Sequence, residues 1–329
     1  MSSCSTCRAT ARTTSCRTPS RASRSRRCGC ACSAPTRAGP RTMPEIPDLE
    51  AIRGFLTPVL RDNPVRDAEA RLPWLVRTGA EELQTLSGHC FGDVLRHGKF
   101  LLFPSDDGRV LVVNPMLTGR FHWAEASEAR RPAPAITLAF EDGHELRYAD
   151  ERRMGRLYLV AADNLTSVPQ FAELGPDALA IEEDEFAERL RTRRGQLKNT
   201  LTNQGFIAGI GNAYADEILW EAGLHPHRRG STLDDEDRRA LYRAMHAVFD
   251  RARPILQGHV RDGLRQRKEE WREHLQVHRR AGEACPRCDH EVRGRTSGSR
   301  ETNFCLGCQP LDLGGRGAVA TAASRAAES

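Results

Sequence analysis

Four cysteines near the C-terminus carry the most specific spacing in the chain: Cys285-x2-Cys288 and Cys305-x2-Cys308, with sixteen residues between the pairs. Two such knuckles place four thiolates around a tetrahedral zinc ion. Sulfur then fills every coordination position, so the ion is structural and stands in for the core that so short a segment lacks. The competing reading is a redox thiol pair. Between the pairs, "RTSGSRETNFC" reads as a hairpin with Arg300 near its second strand, a candidate phosphate contact. A second chemical signal is "GIGN" at 209–212, leading into the amphipathic run with Tyr214, Ile218 and Leu219. Gly209 and Gly211 permit close approach of the backbone, and Asn212 is expected at the N-cap. Exposed amides at a helix start bind anions, which suits a phosphate clamp. The same residues also suit an ordinary turn between two helices.

The elements that must hold these groups fall into three kinds of chain. Residues 1–42 contain nine Arg, six Cys and no Asp or Glu, and no Leu, Ile, Val, Phe, Trp or Tyr. Such a segment cannot offset its ordering entropy by burial, so disorder is expected. It lacks the apolar h-region of a secretory signal and the large apolar residues of an amphipathic transit peptide. The reading adopted is upstream sequence joined by a wrong start, with the gene beginning at Met43. Without this leader the formal charge changes from +5 to about −4, so global charge names no partner. Residues 251–300 are locally basic, with 13 Lys/Arg against seven Asp/Glu, which fits a phosphate-facing region or a solvated helical face. Cys90 stands alone and reads as a small core residue. A reducing compartment such as a cytoplasm fits this cysteine usage. No apolar run reaches membrane-spanning length.

From Met43, Pro47, Asp48 and Glu50 suit a first helical turn, followed by Leu49, Ile52, Phe55, Leu56 and Leu60 at helical spacing. Short strands are predicted at 99–103, 109–113, 119–123, 135–140, 144–148 and 156–160, divided by turns such as "SDDG" and "EDG". That pattern suggests an antiparallel sandwich or barrel. After "ELGPDAL" the period becomes helical, with helices expected over 183–192, 196–203, 212–222, 234–256 and 262–278. The fold class is α+β and multidomain: a leader over 1–42, a β-sandwich with a leading helix over 43–172, a helical domain over 173–280, a zinc finger over 281–310 and a disordered tail over 311–329.

Ordered motifs across 43–310 resemble one family. They are "MPEIPDLE" at the start of the body, "HGKF" at 97–100, "NPMLTGR" at 114–120, "DERRMGRL" at 150–157, "AGIGNAYADEIL" at 208–219 and the four-cysteine module. The family is the formamidopyrimidine-DNA glycosylase and endonuclease VIII group of bacterial base-excision repair enzymes. The resemblance implies a β-sandwich, a helix–two-turn–helix domain and a zinc finger, acting as a monomer on double-stranded damaged DNA, with one structural zinc and no other cofactor. It implies that Pro44, as a free N-terminal secondary amine, attacks C1′ of the damaged nucleotide and forms an iminium. An acylated proline cannot do this, because its lone pair is delocalised into the carbonyl. If the leader stays in place, the alternative is a non-catalytic damaged-DNA-binding zinc protein. Glu45 matches the family's acid/base and Lys99 its hairpin lysine beside the lesion phosphate. Lys198, Asn212 and Arg300 match phosphate contacts. Met116 matches the methionine that fills the gap left by the flipped base, and Arg152 the arginine that pairs with the widowed base. Two stretches depart from the pattern. Met154 stands where an aromatic wedge is usual, and a methionine can also wedge between bases. The segment before Cys285 is charged, where guanine-type enzymes carry a Gly- and Tyr-containing loop.

Overall fold

The computed structural model describes residues 43–265, 270–298 and 300–311. Both the leader and most of the tail assigned from the sequence lie outside these residues. The body opens with helix α1 (Ile46–Leu60). Its stripe of Leu49, Ile52, Leu56 and Leu60 is buried, as the spacing requires. Two four-stranded antiparallel sheets follow. The first has β1 (Val65–Ala70), β6 (Ile136–Phe140), β7 (His144–Asp150) and β5 (Gly119–Glu125) in that order. The second orders β2 (Leu95–His97), β3 (Phe100–Pro104), β4 (Arg109–Asn114) and β8 (Arg156–Ala161). A short helix α2 (Ala80–Gln84) lies between β1 and β2. All six strands read from the sequence are present, and β1 and β2 are additional.

The second sheet is apolar on both faces. Leu101, Phe103, Leu111, Val113, Leu157 and Leu159 share one core with Phe121, Leu138, Phe140 and Tyr148 of the first sheet. Alternate residues Phe100, Leu102, Val110, Val112 and Tyr158 form a second cluster with Val168. The second face is therefore roofed by the chain that leaves the sandwich, which explains why these strands read as continuous apolar runs.

Four helices follow: α3 (Glu183–Arg191), α4 (Leu197–Leu201), α5 (Asn212–Glu221) and α6 (Asp235–Val260). In α5, residues Ala213 to Trp220 are all buried, including the carboxylates Asp216 and Glu217. A hairpin, β9 (Val292–Ser297) and β10 (Arg300–Cys305), closes the described chain, with Arg300 opposite Ser297. No helix among the described residues is long and apolar enough to cross a membrane.

The helix expected over 262–278 does not form among its described residues, which hold only a 3-10 turn at Glu270–Arg272. The backbone N–H groups of Gln276, Val277 and His278 donate instead to the Glu217 carboxylate, at 2.8, 2.9 and 2.8 Å. Three amides converging on one buried carboxylate cannot also serve an i−4 ladder. Burial pushes the Glu217 carboxyl up, and these three donors oppose that shift.

Candidate active site

Pro44 and Glu45 form the entry to α1, and both are buried. Asp48 Oδ2 accepts the Glu45 N–H at 2.8 Å, fixing the turn. The Glu45 carboxylate reaches the start of α5. Its Oε2 accepts from Gly211 N at 2.7 Å and Tyr214 N at 3.1 Å, and its Oε1 from Ala213 N at 2.9 Å. A helix N-terminus does hold an anion here, but the anion is the protein's own carboxylate. The glycines of "GIGN" have a definite purpose. A Cβ at Gly211 would lie 2.4 Å from Glu45 Cδ, and one at Gly209 would lie 2.3 Å from Ile46 side-chain carbons. Gly209 also has φ +106°, a conformation that suits glycine. The expected N-cap shifts by one residue: Gly211 is the N-cap, and Asn212 is the first helical residue. Glu45 satisfies the N-terminal amides, so no capping side chain is required at Asn212.

Lys99 is the second residue of the Gly98–Lys99 turn in the β2–β3 hairpin. Arg96 ties that hairpin down through Asp177 (Nη2–Oδ1 2.7 Å) and Glu50 (Nε–Oε1 2.6 Å), and Gly98 N donates to Asp177 Oδ2 at 2.7 Å. Burial lowers the Lys99 ammonium, Glu45 opposes that shift and Arg300 adds to it. Lys99 therefore senses both the entry to α1 and the C-terminal hairpin.

Lys198, Asn212 and Arg300 line one polar cavity of about 420 Å³, joined by Gln196, His227 and Arg295. The structure thus brings together three residues from three separate stretches of sequence. Lys198 is buried and ion-paired with Asp216 (Nζ–Oδ1 2.7 Å). Both Lys198 Nζ and Asn212 Nδ2 donate to the Glu301 carbonyl, at 2.6 and 3.0 Å. This shared acceptor links the helices to the hairpin that carries Arg300.

Met116 and Arg152 sit in two neighbouring turns. Met116 has φ +49° and takes an acceptor from Asn114 Oδ1 for its N–H at 3.1 Å. Arg152 N donates to Thr118 Oγ1 at 3.0 Å, and Gly155 N to Asp150 Oδ2 at 2.6 Å. Thr118 also bonds to Asp150, so one buried pair joins the Met116 turn to the turn holding Arg152 and Met154. Arg152 is exposed and Met154 half-buried. Arg153 lies 5.9 Å from the Trp74 ring, and Trp74 is 50% exposed.

The ligand sulfurs of Cys285, Cys288, Cys305 and Cys308 all lie within 4.8 Å of one another, a group able to hold a metal ion. The Cys285–Cys308 and Cys288–Cys305 sulfurs are 3.8 and 3.4 Å apart, and tetrahedral thiolates about 2.3 Å from zinc would be about 3.8 Å apart. Trp220 Nε1 donates to Cys285 Sγ at 3.3 Å, linking the cluster to α5.

Several residues of this neighbourhood were not singled out from sequence. Arg272 is one. It bonds Asp48 through both terminal nitrogens, Nη1–Oδ1 at 2.5 Å and Nη2–Oδ2 at 2.7 Å. Asp216, which pairs with Lys198 and with His278 Nδ1 at 2.8 Å, is another. The only sequence signal for them was charge inside an otherwise buried helix or just before a cysteine module.

Comparison with known proteins agrees with this architecture. Residues 43–157 match the formamidopyrimidine-DNA glycosylase N-terminal domain, and residues 174–261 match its H2TH domain. The chain is 35% identical over 258 residues to the formamidopyrimidine-DNA glycosylase of Moorella thermoacetica, covering 75% of this chain and 92% of that protein. It is 34% identical to that of Heliobacterium modesticaldum, covering 81% of this chain and all of that protein. Among solved structures, the Lactococcus lactis Fpg mutant G226P with a Fapy-dG-containing DNA superposes with a TM-score of 0.74 at 29% identity, covering 82% of this chain and all of that one. The Lactococcus lactis Fpg with abasic-site DNA gives the same score and identity over 81% of this chain. The chain belongs to the formamidopyrimidine-DNA glycosylase family.

Proposed function

We propose that this chain is a bifunctional DNA glycosylase and abasic-site lyase acting on oxidised or ring-opened bases in duplex DNA. The observation that carries the reading is the docking of Glu45 on the first turn of α5. It holds Glu45, the residue after Pro44, on the amides either side of Asn212, which lines the cavity together with Lys198 and Arg300. A nucleophile and an acid/base group thereby adjoin cationic and amide donors suited to phosphate. Relatives named as glycosylases, and neighbours crystallised with Fapy-dG or abasic-site DNA, support the same substrate class.

In this reading Pro44 N forms a bond to C1′ of the extruded nucleotide as the C1′–base bond breaks, and the N–H proton of the resulting ammonium passes to the departing base, which restores the nitrogen lone pair. The nitrogen lone pair then makes the iminium as C1′–O4′ breaks and O4′ takes a proton relayed by Glu45. Loss of a C2′ proton expels the 3′ phosphate and cuts the strand by β-elimination. Lys99, Lys198, Asn212 and Arg300 hold backbone phosphates, while Met116, Arg152 and Met154 occupy the space of the flipped base. The four cysteines would hold a zinc ion that would supply no chemistry in this scheme and would fix the hairpin bearing Arg300.

The reading requires a chain whose first residue is Pro44, and the family model starts at residue 43. Borohydride trapping tests it. A protein beginning at Pro44 is expected to give a covalent adduct with abasic-site duplex, and one beginning at Met1 and left unprocessed is expected to give none. Absence of an adduct from the Pro44 form refutes the lyase reading. Tight binding without cleavage by that form would make the chain a damage-binding protein.

A further inference from the structure

In the chain as it stands, Pro44 is acylated by Met43, and that acyl group is an informative stand-in. Its carbonyl carbon is bonded to Pro44 N, where C1′ of the nucleotide would be bonded after attack. Its carbonyl oxygen then represents the ring oxygen O4′, and Met43 Cα represents C2′. Arg272 Nη2 donates to that oxygen at 3.2 Å. Arg272 is held for the purpose. Its two bonds to Asp48 fix the guanidinium plane, and its side chain is only 13% exposed. The Tyr214 ring lies 5.7 Å away, and Tyr214 Oη is 3.0 Å from His274 Nε2. Asp48 in turn accepts the Glu45 N–H, so one carboxylate sets both the acid/base residue and the arginine.

We propose that Arg272 is a further catalytic residue, donating a hydrogen bond to O4′ as the sugar ring opens on Pro44. This rests on the reading of Pro44 as nucleophile. As the Pro44 lone pair forms the C1′=N bond, the C1′–O4′ electron pair moves onto O4′, which takes its proton through Glu45. A fixed guanidinium beside O4′ stabilises the charge that develops there before the proton arrives. The contribution is confined to steps that expel O4′. A base-bearing nucleotide must pass through such a step, whereas an abasic site in its open aldehyde form reaches the iminium by losing water from C1′ instead.

The test uses chains that begin at Pro44, with Arg272→Met and Arg272→Lys, under single turnover with borohydride. One duplex carries Fapy-dG and the other a natural abasic site. R272M is expected to slow adduct formation on the Fapy-dG duplex about 30-fold or more and on the abasic duplex less than about threefold, with R272K intermediate on the first. Equal slowing on both duplexes is what loss of the Asp48 clamp alone would give, and it overturns the O4′ role. No adduct from the unsubstituted protein on either duplex removes the nucleophile reading and this one with it. A crystal structure of the reduced adduct needs no variant: Arg272 Nη2 is expected within about 3.5 Å of O4′, and a separation beyond about 5 Å refutes the assignment.

Discussion

Gly211→Ala isolates the contact on which the proposed site is built. The φ of Gly211 is −123°, a backbone that any residue adopts, so alanine brings no backbone strain there. Its whole effect is collision. The new Cβ would meet Glu45 Cδ at 2.4 Å, Oε1 at 2.6 Å and Cγ at 2.8 Å. Relief to ordinary contact moves the carboxylate by about 1 Å. Its bonds to Gly211, Tyr214 and Ala213 are now 2.7, 3.1 and 2.9 Å long. A shift of that size takes most of them past the useful range. Bonds to a charged acceptor contribute about 1.5–3 kcal/mol each, and partial recovery by water leaves an expected net loss of about 2–3 kcal/mol. A catalytic group displaced by about 1 Å costs about 100-fold in rate. Urea unfolding and single-turnover trapping measure the two quantities. The decisive comparison is a double-mutant cycle with Glu45→Ala, which removes the colliding atoms. In that background Gly211→Ala is expected to cost less than about 0.5 kcal/mol. An equal cost in both backgrounds, or trapping at the unsubstituted rate, refutes the reasoning.

Three further outcomes follow from the same geometry. Glu217→Ala leaves the amides of residues 276–278 without their buried acceptor and is expected to destabilise by about 3 kcal/mol in urea, with hydrogen exchange rising first at those three amides. At Asp177 burial opposes ionisation, but Arg96 and the Gly98 and Leu179 amides outweigh it and hold the carboxyl below its usual value. Its stabilisation is therefore complete above the unfolded carboxylate value of about 4 and is lost as pH falls through the lower folded value. Asp177→Asn should flatten the stability profile below about pH 4, and an unchanged acid limb would refute that. One zinc per chain is expected by elemental analysis, and its removal by chelator should weaken duplex binding more than tenfold by releasing the Arg300 hairpin, an outcome contradicted if binding survives with no metal present.

Much of this was legible in the sequence because period and spacing are local properties. The six expected strands and helices α3 to α6 are present, since alternation and helical stripes report burial on one face directly. The cysteine cluster was legible for the same reason: two knuckles specify their own geometry. Two things were hidden. The segment before Cys285 carries enough charge and apolar spacing to read as a helix, but Glu217, some sixty residues earlier in the chain, takes its amides. Propensity cannot report a buried carboxylate that competes for the backbone. Likewise "GIGN" announced an anion site but not whose anion it was.

That second misreading bears on how the site works. A helix N-terminus open to solvent would be free to bind a phosphate, and Asn212 at its N-cap would be spent on capping. With Glu45 docked there instead, Asn212 is released to line the cavity, and its Nδ2 meets Lys198 at the Glu301 carbonyl. The glycine that admits Glu45 is thus also what frees the neighbouring asparagine for a ligand. In the proposed reading Gly211 accordingly couples Glu45 to the side chains that line the cavity. Substitution there should impair trapping and duplex affinity together, whereas Asn212→Ala, which leaves Glu45 in place, should lower affinity with the trapping rate of bound DNA changed less than about threefold. A loss of trapping in Asn212→Ala at saturating DNA would mean that the two functions are not separable in this way.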